Sequence, residues 1–364
     1  MIGVKRQPLI DRNKAKPRRP VTRSLPIARE CKHFGLLLDK TACGQEVYSC
    51  KLFGTCSHQP ETCNGGMQLC DTCTKYERCH VAPNPIRLAD GMFNASMIPW
   101  KDGYLLAYRN CWSGANISVV TLDKKMQQTM QPRELLLNTQ LALGGREDPR
   151  LFLYRGVPHV WYIGWMGGHP VTDGKHATVH YARLHPDSLR VEEKYAPNVP
   201  WRRSMEKNHS YFDRGGELYA IYSIVPHLVM KVNGNDIVEH WVTKTNTPQG
   251  WKYGHMRGGA SPVLHRGEFY HFFHTMTEEH GRRLYAICVA CFSADPPFKI
   301  NRITEHPIDV ADQCTLKDID VLFPGGAFFE GGHWVLTMGV HDLWSEVRYY
   351  EDSYIERALT EHKA

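Results

Sequence analysis

At 364 residues, with 42% hydrophobic and 23% charged side chains, the chain can bury a sizeable core as one large domain or two modest ones. That balance excludes a wholly disordered polyelectrolyte. No apolar run approaches the ~20 residues of a membrane helix, so no membrane span is expected. The net charge of +6 is local: residues 1–30 hold nine Lys/Arg against Asp11 and Glu30, a balance of +7, which leaves the remainder near −1.

Residues 1–30 therefore read as a Pro-interrupted, basic, disordered tail. We take it as a solvated leader, with a weak contact to nucleic acid or another acidic surface as the alternative. Nucleic-acid binding is not expected of the rest of the chain. The first residues lack the apolar segment of a secretory signal, which predicts a reducing, cytoplasmic setting.

Residues 31–82 hold eight of the twelve cysteines, from Cys31 to Cys79, with His33, His58 and His80 among them. Apolar residues are few, and a segment this small without a core relies on metal or disulfides. In a reducing compartment thiolates hold metal, so zinc or an iron–sulfur cluster is expected, with disulfides as the alternative on export. Cys70-x-x-Cys73 has the spacing of a metal knuckle, and Cys50 and Cys56 are the further candidate ligands. Cys50-x5-Cys56, Cys63 and the Cys70-x-x-Cys73 knuckle together resemble a small Cys-rich module found beside bacterial glycosyltransferases.

From residue 83 to 360 the texture changes to short strand-like runs, such as Tyr104–Tyr108, Ile117–Leu122, His159–Ile163, Glu217–Tyr222, Glu268–Phe273 and His333–Met338. No long helical periodicity competes with them, which predicts an all-β architecture. Five turns precede strands at intervals of roughly 50 to 65 residues, the size of a four-stranded propeller blade: Lys101-Asp102-Gly103, Arg155-Gly156, Arg214-Gly215-Gly216, Arg266-Gly267 and Glu330-Gly331-Gly332. A polar or Gly-rich cluster lies before each turn: Asn94–Ser96, Glu147–Arg150, Lys207–Ser210, Arg257–Pro262 and Phe323–Gly326. The prediction is a five-bladed β-propeller whose clusters converge on one funnel, preceded by the small Cys-rich metal-binding module.

The second cluster sits in Gly144-Gly-Arg-Glu-Asp-Pro-Arg150. Proline disfavours helix at the residue before it, so the segment is extended and alternate side chains share a face. Arg146, Asp148 and Arg150 are then expected on one face and Glu147 on the other. One carboxylate between two guanidiniums is either the centre of an anion- or sugar-binding site or a structural ion pair.

These residues resemble the β-mannoside phosphorylases and their relatives, glycoside hydrolase family 130, over about residues 84–358. The resemblance rests on Arg146-x-Asp148-Pro149-Arg150, Lys207-Asn208, Phe323-Pro324-Gly325-Gly326, Gly339 and Asp342. It implies an oligosaccharide or glycoside substrate, Asp148 as proton donor through a sugar hydroxyl, and Lys207 and Asp342 as sugar-holding residues. Arg109 and Arg150 are implied to bind phosphate or neighbouring hydroxyls. His209, where relatives often place an aromatic residue, and His341, where they place a small one, depart from the pattern. Asn94, Arg146, Asn208, His209, Arg257 and His341 complete the expected substrate-binding set.

Charge separates the reaction types. Arginines beside Asp148 favour its ionised form, whereas a general acid works best with a pKa near the operating pH. An inverting hydrolase also needs a second carboxylate to activate water, for which Glu206 is the candidate. Phosphorolysis needs cations to hold the attacking phosphate. The surplus of Arg109, Arg146, Arg150, Lys207, His209 and Arg257 over Asp148 and Asp342 favours a phosphate-bearing co-substrate, either inorganic phosphate or a nucleotide sugar. Phosphorolysis and mannosyl transfer stay open at this level. An inverting hydrolase and a non-catalytic glycan- or protein-binding propeller are the alternatives.

Other polar residues have structural readings. Cys288 and Cys291 lie three apart in an apolar strand and face opposite ways, which suits buried core thiols. His271 and His274 read as partly buried and hydrogen-bonded, and His169, His176 and His180 as loop residues. Trp100, Trp112, Trp165 and Trp201 flank the clusters and either stack on sugar rings or pack between blades.

Overall fold

The structure is a computed structural model that describes residues 38–40, 46–48, 85–88, 91–109, 116–138, 145–165, 177–279, 281–311, 314 and 319–361. The chain divides into compact units of residues 1–70 and 71–364. In the first, β1 (Leu38–Lys40) pairs antiparallel with β2 (Glu46–Tyr48). Cys50, Cys56, Cys70 and Cys73 lie outside the described residues, as does the basic tail.

The second unit is all-β, a propeller-like ring of sheets. It opens with β3 (Ile86–Arg87). The first four-stranded sheet is β4 (Phe93–Trp100), β5 (Gly103–Arg109), β6 (Ile117–Leu122) and β7 (Arg133–Glu134). The second is β8 (Gly145–Tyr154), β9 (Val157–Trp165), β10 (Ala177–Leu184) and β11 (Val191–Tyr195). The third is β12 (Ser210–Arg214), β13 (Glu217–Ser223), β14 (His227–Asn233) and β15 (Asp236–Thr243).

A larger sheet follows, built on β16 (His255–Arg257), β17 (Val263–His265), β18 (Glu268–Glu279), β19 (Arg282–Ser293) and β20 (Ile300–Thr304), with β21 (Asp309–Val310) and β22 (Ile319–Asp320) against β19. The last sheet is β23 (Leu322–Glu330), β24 (His333–Val340) and β25 (Trp344–Glu351), and its fourth strand is β3. The start of the unit thus pairs with its end and closes the ring. The helix α1 (Asp352–Ala358) then carries the chain back to β26 (Leu359–Glu361), which pairs with β20 and makes that sheet eight-stranded.

Each of the five predicted turns is a two-residue hairpin loop between neighbouring strands: β4–β5, β8–β9, β12–β13, β17–β18 and β23–β24. In the last four both loop residues have positive φ, the backbone of the tight turn whose twist matches paired strands. Glycine supplies that conformation without a steric penalty, so these turns announce themselves in the sequence.

Strand alternation then makes the ring. Leu151 packs with Ile98, Leu105 and Val119 of the first sheet, while Phe152, one residue on, stacks at 5.7 Å on Tyr211 of the third. Phe212 in turn faces Phe269 and Phe292 of the fourth sheet. Trp334 of the fifth sheet lies 4.7 Å from Tyr270 and 5.1 Å from Phe272, and Phe328 and Val335 meet Met97 and Tyr104 of the first. Each such buried side chain contributes roughly 1.5–3 kcal/mol by leaving water. Cys288 joins the layer between the third and fourth sheets, and both it and Cys291 are buried free thiols, as structural residues should be.

Seven described histidines are buried, and four of them respond most strongly. Burial pulls the pKa of His180 and His227 down to about 4 and that of His271 and His274 to about 3. His180 was expected in a loop and instead lies fully buried in β10, 2.5 Å from Thr178 Oγ1. Because the folded values lie below the unfolded one near 6.5, the unfolded chain binds more protons between them and stability falls as pH drops. These four side chains alone should take up close to four protons on unfolding at pH 5. Denaturant titrations from pH 7 to 4.5 would read that slope, and a flat profile would contradict the buried neutral assignment.

Candidate functional site

Three inner strands carry bulges near their starts. The register skips between Phe93 and Ser96 on β4, between Glu147 and Arg150 on β8, and between Pro324 and Gly326 on β23. Asn94 and Asp148 sit in the first two with φ of 50° and 51°, and Asn208 (61°), His341 (55°) and Asp342 (52°) adopt the same left-handed backbone at the corresponding end of their sheets. Asn and Asp enter this region more readily than other residues with a Cβ. A bulge re-aims side chains, and the expected alternation of residues 146–150 fails for that reason. Glu147 and Asp148 both reach Arg109, while Arg146 Nη2 donates to Asn116 Oδ1 at 3.1 Å.

Asp148 Oδ1 accepts from Asn94 Nδ2 at 2.8 Å, and the same amide reaches Asp342 Oδ1 at 3.2 Å. One asparagine thus joins carboxylates from the second and fifth sheets. Arg109 spans Asp148 at 3.5 Å and Glu147 at 3.2 Å, and Lys207 Nζ lies 3.8 Å from Glu147. Lys207 also stands 4.4 Å over the ring of Trp165. Behind Asp148 the Arg150 guanidinium is fully buried, stacked 3.9 Å from Phe323.

Glycines let the strands close around this cluster. A Cβ on Gly339 would lie 2.2 Å from Asn94 Oδ1, and one on Gly258 would lie 1.9 Å from the Asn208 carbonyl oxygen.

The electrostatics follow from these contacts. Burial pushes the Asp148 carboxyl up, but Arg109, Arg150, Lys207 and the Asn94 amide outweigh it and hold the group below its ordinary range. Asp148 is ionised at neutral pH. Burial lowers the Arg150 pKa to about 10 against the support of Asp148, which leaves it cationic. Arg257 faces His274 and Tyr285, and among the described residues it has no ion-pair or hydrogen-bond partner. Asn94 Oδ1, Arg109 Nε, Trp165 Nε1 and two nitrogens of Arg150 are buried without a hydrogen-bond partner among the described residues. Native proteins leave few such atoms, and four of these residues line one cluster.

The structure therefore gathers Asn94, Arg109, Asp148, Lys207 and Asp342, with Arg150 behind Asp148 and Asn208 and Arg257 at the adjoining strand ends. Three expected binding residues point elsewhere. Arg146 turns to Asn116. His209 is 3% exposed, 3.0 Å from Glu206. His341 accepts from the Val321 amide through Nδ1 at 3.2 Å and donates its own N–H to the Val321 carbonyl, so it pins β23.

Glu206 itself accepts from the Arg203 amide at 2.7 Å and from Tyr222 OH at 2.8 Å. A carboxylate held by three neighbours is not free to activate water. Alternation puts Glu147 on the far face, yet it is the second carboxylate at Arg109. Nothing in the strand-like surroundings of Tyr285 distinguishes it from core in the sequence. Among the described residues no group of three or more His, Cys, Asp or Glu side chains could hold a metal ion.

No protein-family model matches this chain, and no curated protein matches it. Solved structures do. The β-1,2-mannobiose phosphorylase of Listeria innocua superposes with a TM-score of 0.56 at 15% identity, over 75% of this chain and 92% of that one. A structure from the GH130 family, described as mannoside phosphorylases that include hydrolases of β-1,2-mannosidic linkages in Candida mannan, gives 0.54 at 12% identity over 73% and 86%. The α-L-arabinofuranosidase of Lactobacillus brevis gives 0.51 at 11% over 76% and 94%. The likeness is one of fold: this chain's propeller-like ring of sheets matches the architecture of these solved carbohydrate-active enzymes.

Proposed function

We propose that the Asp148 end of the ring is the active site of a carbohydrate-active enzyme that cleaves or forms β-mannosidic bonds with a phosphate-bearing co-substrate. We read the eight-stranded sheet as the fourth blade of a five-bladed propeller. The observation that carries the proposal is the unpaired Arg257 guanidinium, which shares His274 and Tyr285 as electrostatic neighbours with Asp148, next to an Asp148–Asn94–Asp342 set already joined by hydrogen bonds. Carboxylates and an amide suit sugar hydroxyls, and an unmatched guanidinium suits a phosphate through paired N–H donors.

An ionised Asp148 has no proton to give directly. The proton therefore enters with the hydrogenphosphate co-substrate: Asp148 takes it and passes it to a sugar hydroxyl, and that hydroxyl gives its own proton to the departing glycosidic oxygen. Phosphate oxygen attacks the anomeric carbon as the glycosidic C–O bond breaks, so one C–O bond replaces another and the leaving sugar takes the proton. The reverse direction elongates an acceptor, and a nucleotide sugar in place of the sugar phosphate gives a transferase with the same contacts. Hydrolysis by inversion places two carboxylates across the sugar ring, about 6.5–9.5 Å apart with water between them. Glu147 and Asp148 grip one guanidinium and Glu206 is occupied, which disfavours that reading.

Replacing Arg257 by Met should raise the KM for inorganic phosphate 10- to 100-fold, since one charge-assisted contact is worth about 1.5–3 kcal/mol. The KM for the mannoside should move less than threefold. Steady-state kinetics with each substrate varied in turn reads both, and an unchanged phosphate KM would remove Arg257 from the phosphate site.

A further inference from the structure

We propose that a cavity between the second and third sheets, at the opposite end of β8 from Asp148, binds one neutral sugar ring of an oligosaccharide. Tyr154 is six residues along the strand from Asp148, about 20 Å at the usual rise per residue, so this site is separate from the cluster described above. The cavity measures about 280 Å³, at the lower edge of the ~300–1,000 Å³ typical of ligand pockets and enough for a single ring.

Its walls combine flat aromatic faces with matched polar groups. Tyr181 and Tyr195 stack with centroids 4.7 Å apart, and their hydroxyls are fixed by Gly234 O at 2.9 Å and by Glu193 Oε2 at 2.5 Å. Two χ angles and a tied hydroxyl leave such rings little freedom to lose on binding. Gly234 has φ of 58°, and a Cβ there would lie 3.5 Å from the Tyr195 ring, so glycine keeps this edge of the cavity low.

His159 Nδ1 lies 3.0 Å from the Val157 carbonyl. A carbonyl only accepts, so Nδ1 carries the proton and Nε2 is left as an acceptor. Burial keeps this imidazole neutral by lowering its pKa.

The charges decide the ligand class. Arg183 is 3.4 Å from Glu192 and 4.0 Å from Glu193, and Arg155 donates through Nε to the Gly216 carbonyl at 2.7 Å while lying 5.1 Å over Tyr154. The cations are already engaged, so nothing selects an anion. Adjacent guanidinium donors and carboxylate acceptors suit the vicinal hydroxyls of a sugar, whose C–H face lies against tyrosine.

The test uses the full chain carrying Asp148→Asn to halt turnover, with tyrosine rings ¹³C-labelled and followed by NMR during titration with mannose, glucose and mannobiose. Ring signals should shift on neutral sugar, and the shift should vanish, with at least a tenfold loss of affinity, in Arg183→Ala/Glu193→Ala. Those side chains are 40% and 49% exposed, so the variant should fold, and in the wild-type background it should turn over short substrates within twofold of normal. Equal sugar affinity in the double variant would overturn the proposal, as would saturable inorganic phosphate binding at these rings with no sugar response. A sugar response that the double variant abolishes would stand even if the Asp148 cluster bound no sugar, so the two readings fail separately.

Discussion

Asp148→Asn should lower kcat by roughly 10²–10⁴-fold, the usual worth of a positioned acid–base group, with KM for the glycoside changed only a few-fold. The asparagine still presents an oxygen to Asn94 Nδ2, so the hydrogen bond at 2.8 Å can persist while the charge is gone. What disappears is the ability to carry a proton to the sugar hydroxyl.

The same change removes the carboxylate that pairs with the largely buried Arg109 at 3.5 Å and offsets the charge of the buried Arg150. Breaking such a pair typically costs about 3–5 kcal/mol. A fall in Tm should therefore accompany the loss of activity, and the comparison must be made at a temperature where circular dichroism shows the variant folded. Wild-type turnover in a folded Asp148→Asn protein would move the chemistry away from this cluster.

Gly325→Ala should have the largest effect on stability of any single methyl addition in the ring. A Cβ at Gly325 would lie 1.7 Å from the Ala95 carbonyl oxygen and 2.8 Å from its carbon, both backbone atoms. Backbone cannot swing aside as a side chain can, so the first and last sheets must part at the point where the ring closes. Overpacking a tight site costs about 1–3 kcal/mol and occasionally more. We expect ~3 kcal/mol at this contact, or roughly 6–12 °C in Tm for a unit of this size. Gly331→Ala is the control, because a Cβ there meets nothing within 4 Å and only the φ of 59° resists it. Equal Tm losses in the two variants would show that the ring does not close through Gly325.

The parts of this architecture that a sequence can show are those with local causes. Arg155-Gly156, Gly215-Gly216, Arg266-Gly267 and Gly331-Gly332 disclose their hairpins because few residues besides glycine adopt positive φ readily. Their spacing discloses the repeat. The polar clusters before them were legible for the same reason, since a run such as Asn94–Ser96 has no business in a buried strand unless it reaches an end.

What the sequence conceals is direction. The bulge at Asp148 reverses the face of Glu147, and no residue type announces it, because Asp before Pro is compatible with extended backbone as well. His209 and His341 are polar residues beside the motif that turn back into the protein, one to Glu206 and one to the Val321 backbone. Only the tertiary partner tells them from ligand-facing residues. The extra strands of the eight-stranded sheet, from residues 309–310, 319–320 and 359–361, are too short to stand out in any periodicity.

Fold likeness reaches as far as architecture, since one propeller hosts phosphorylases, hydrolases and an arabinofuranosidase, and function lives in the site rather than in the fold. The decisive measurement is product analysis of short β-mannosides incubated with the purified full chain, with and without inorganic phosphate, alongside GDP-mannose with mannobiose as acceptor. The account predicts mannose 1-phosphate only when phosphate is present, or elongated acceptor from the nucleotide sugar, and neither product from Asp148→Asn. Free mannose released at the same rate with or without phosphate would contradict it.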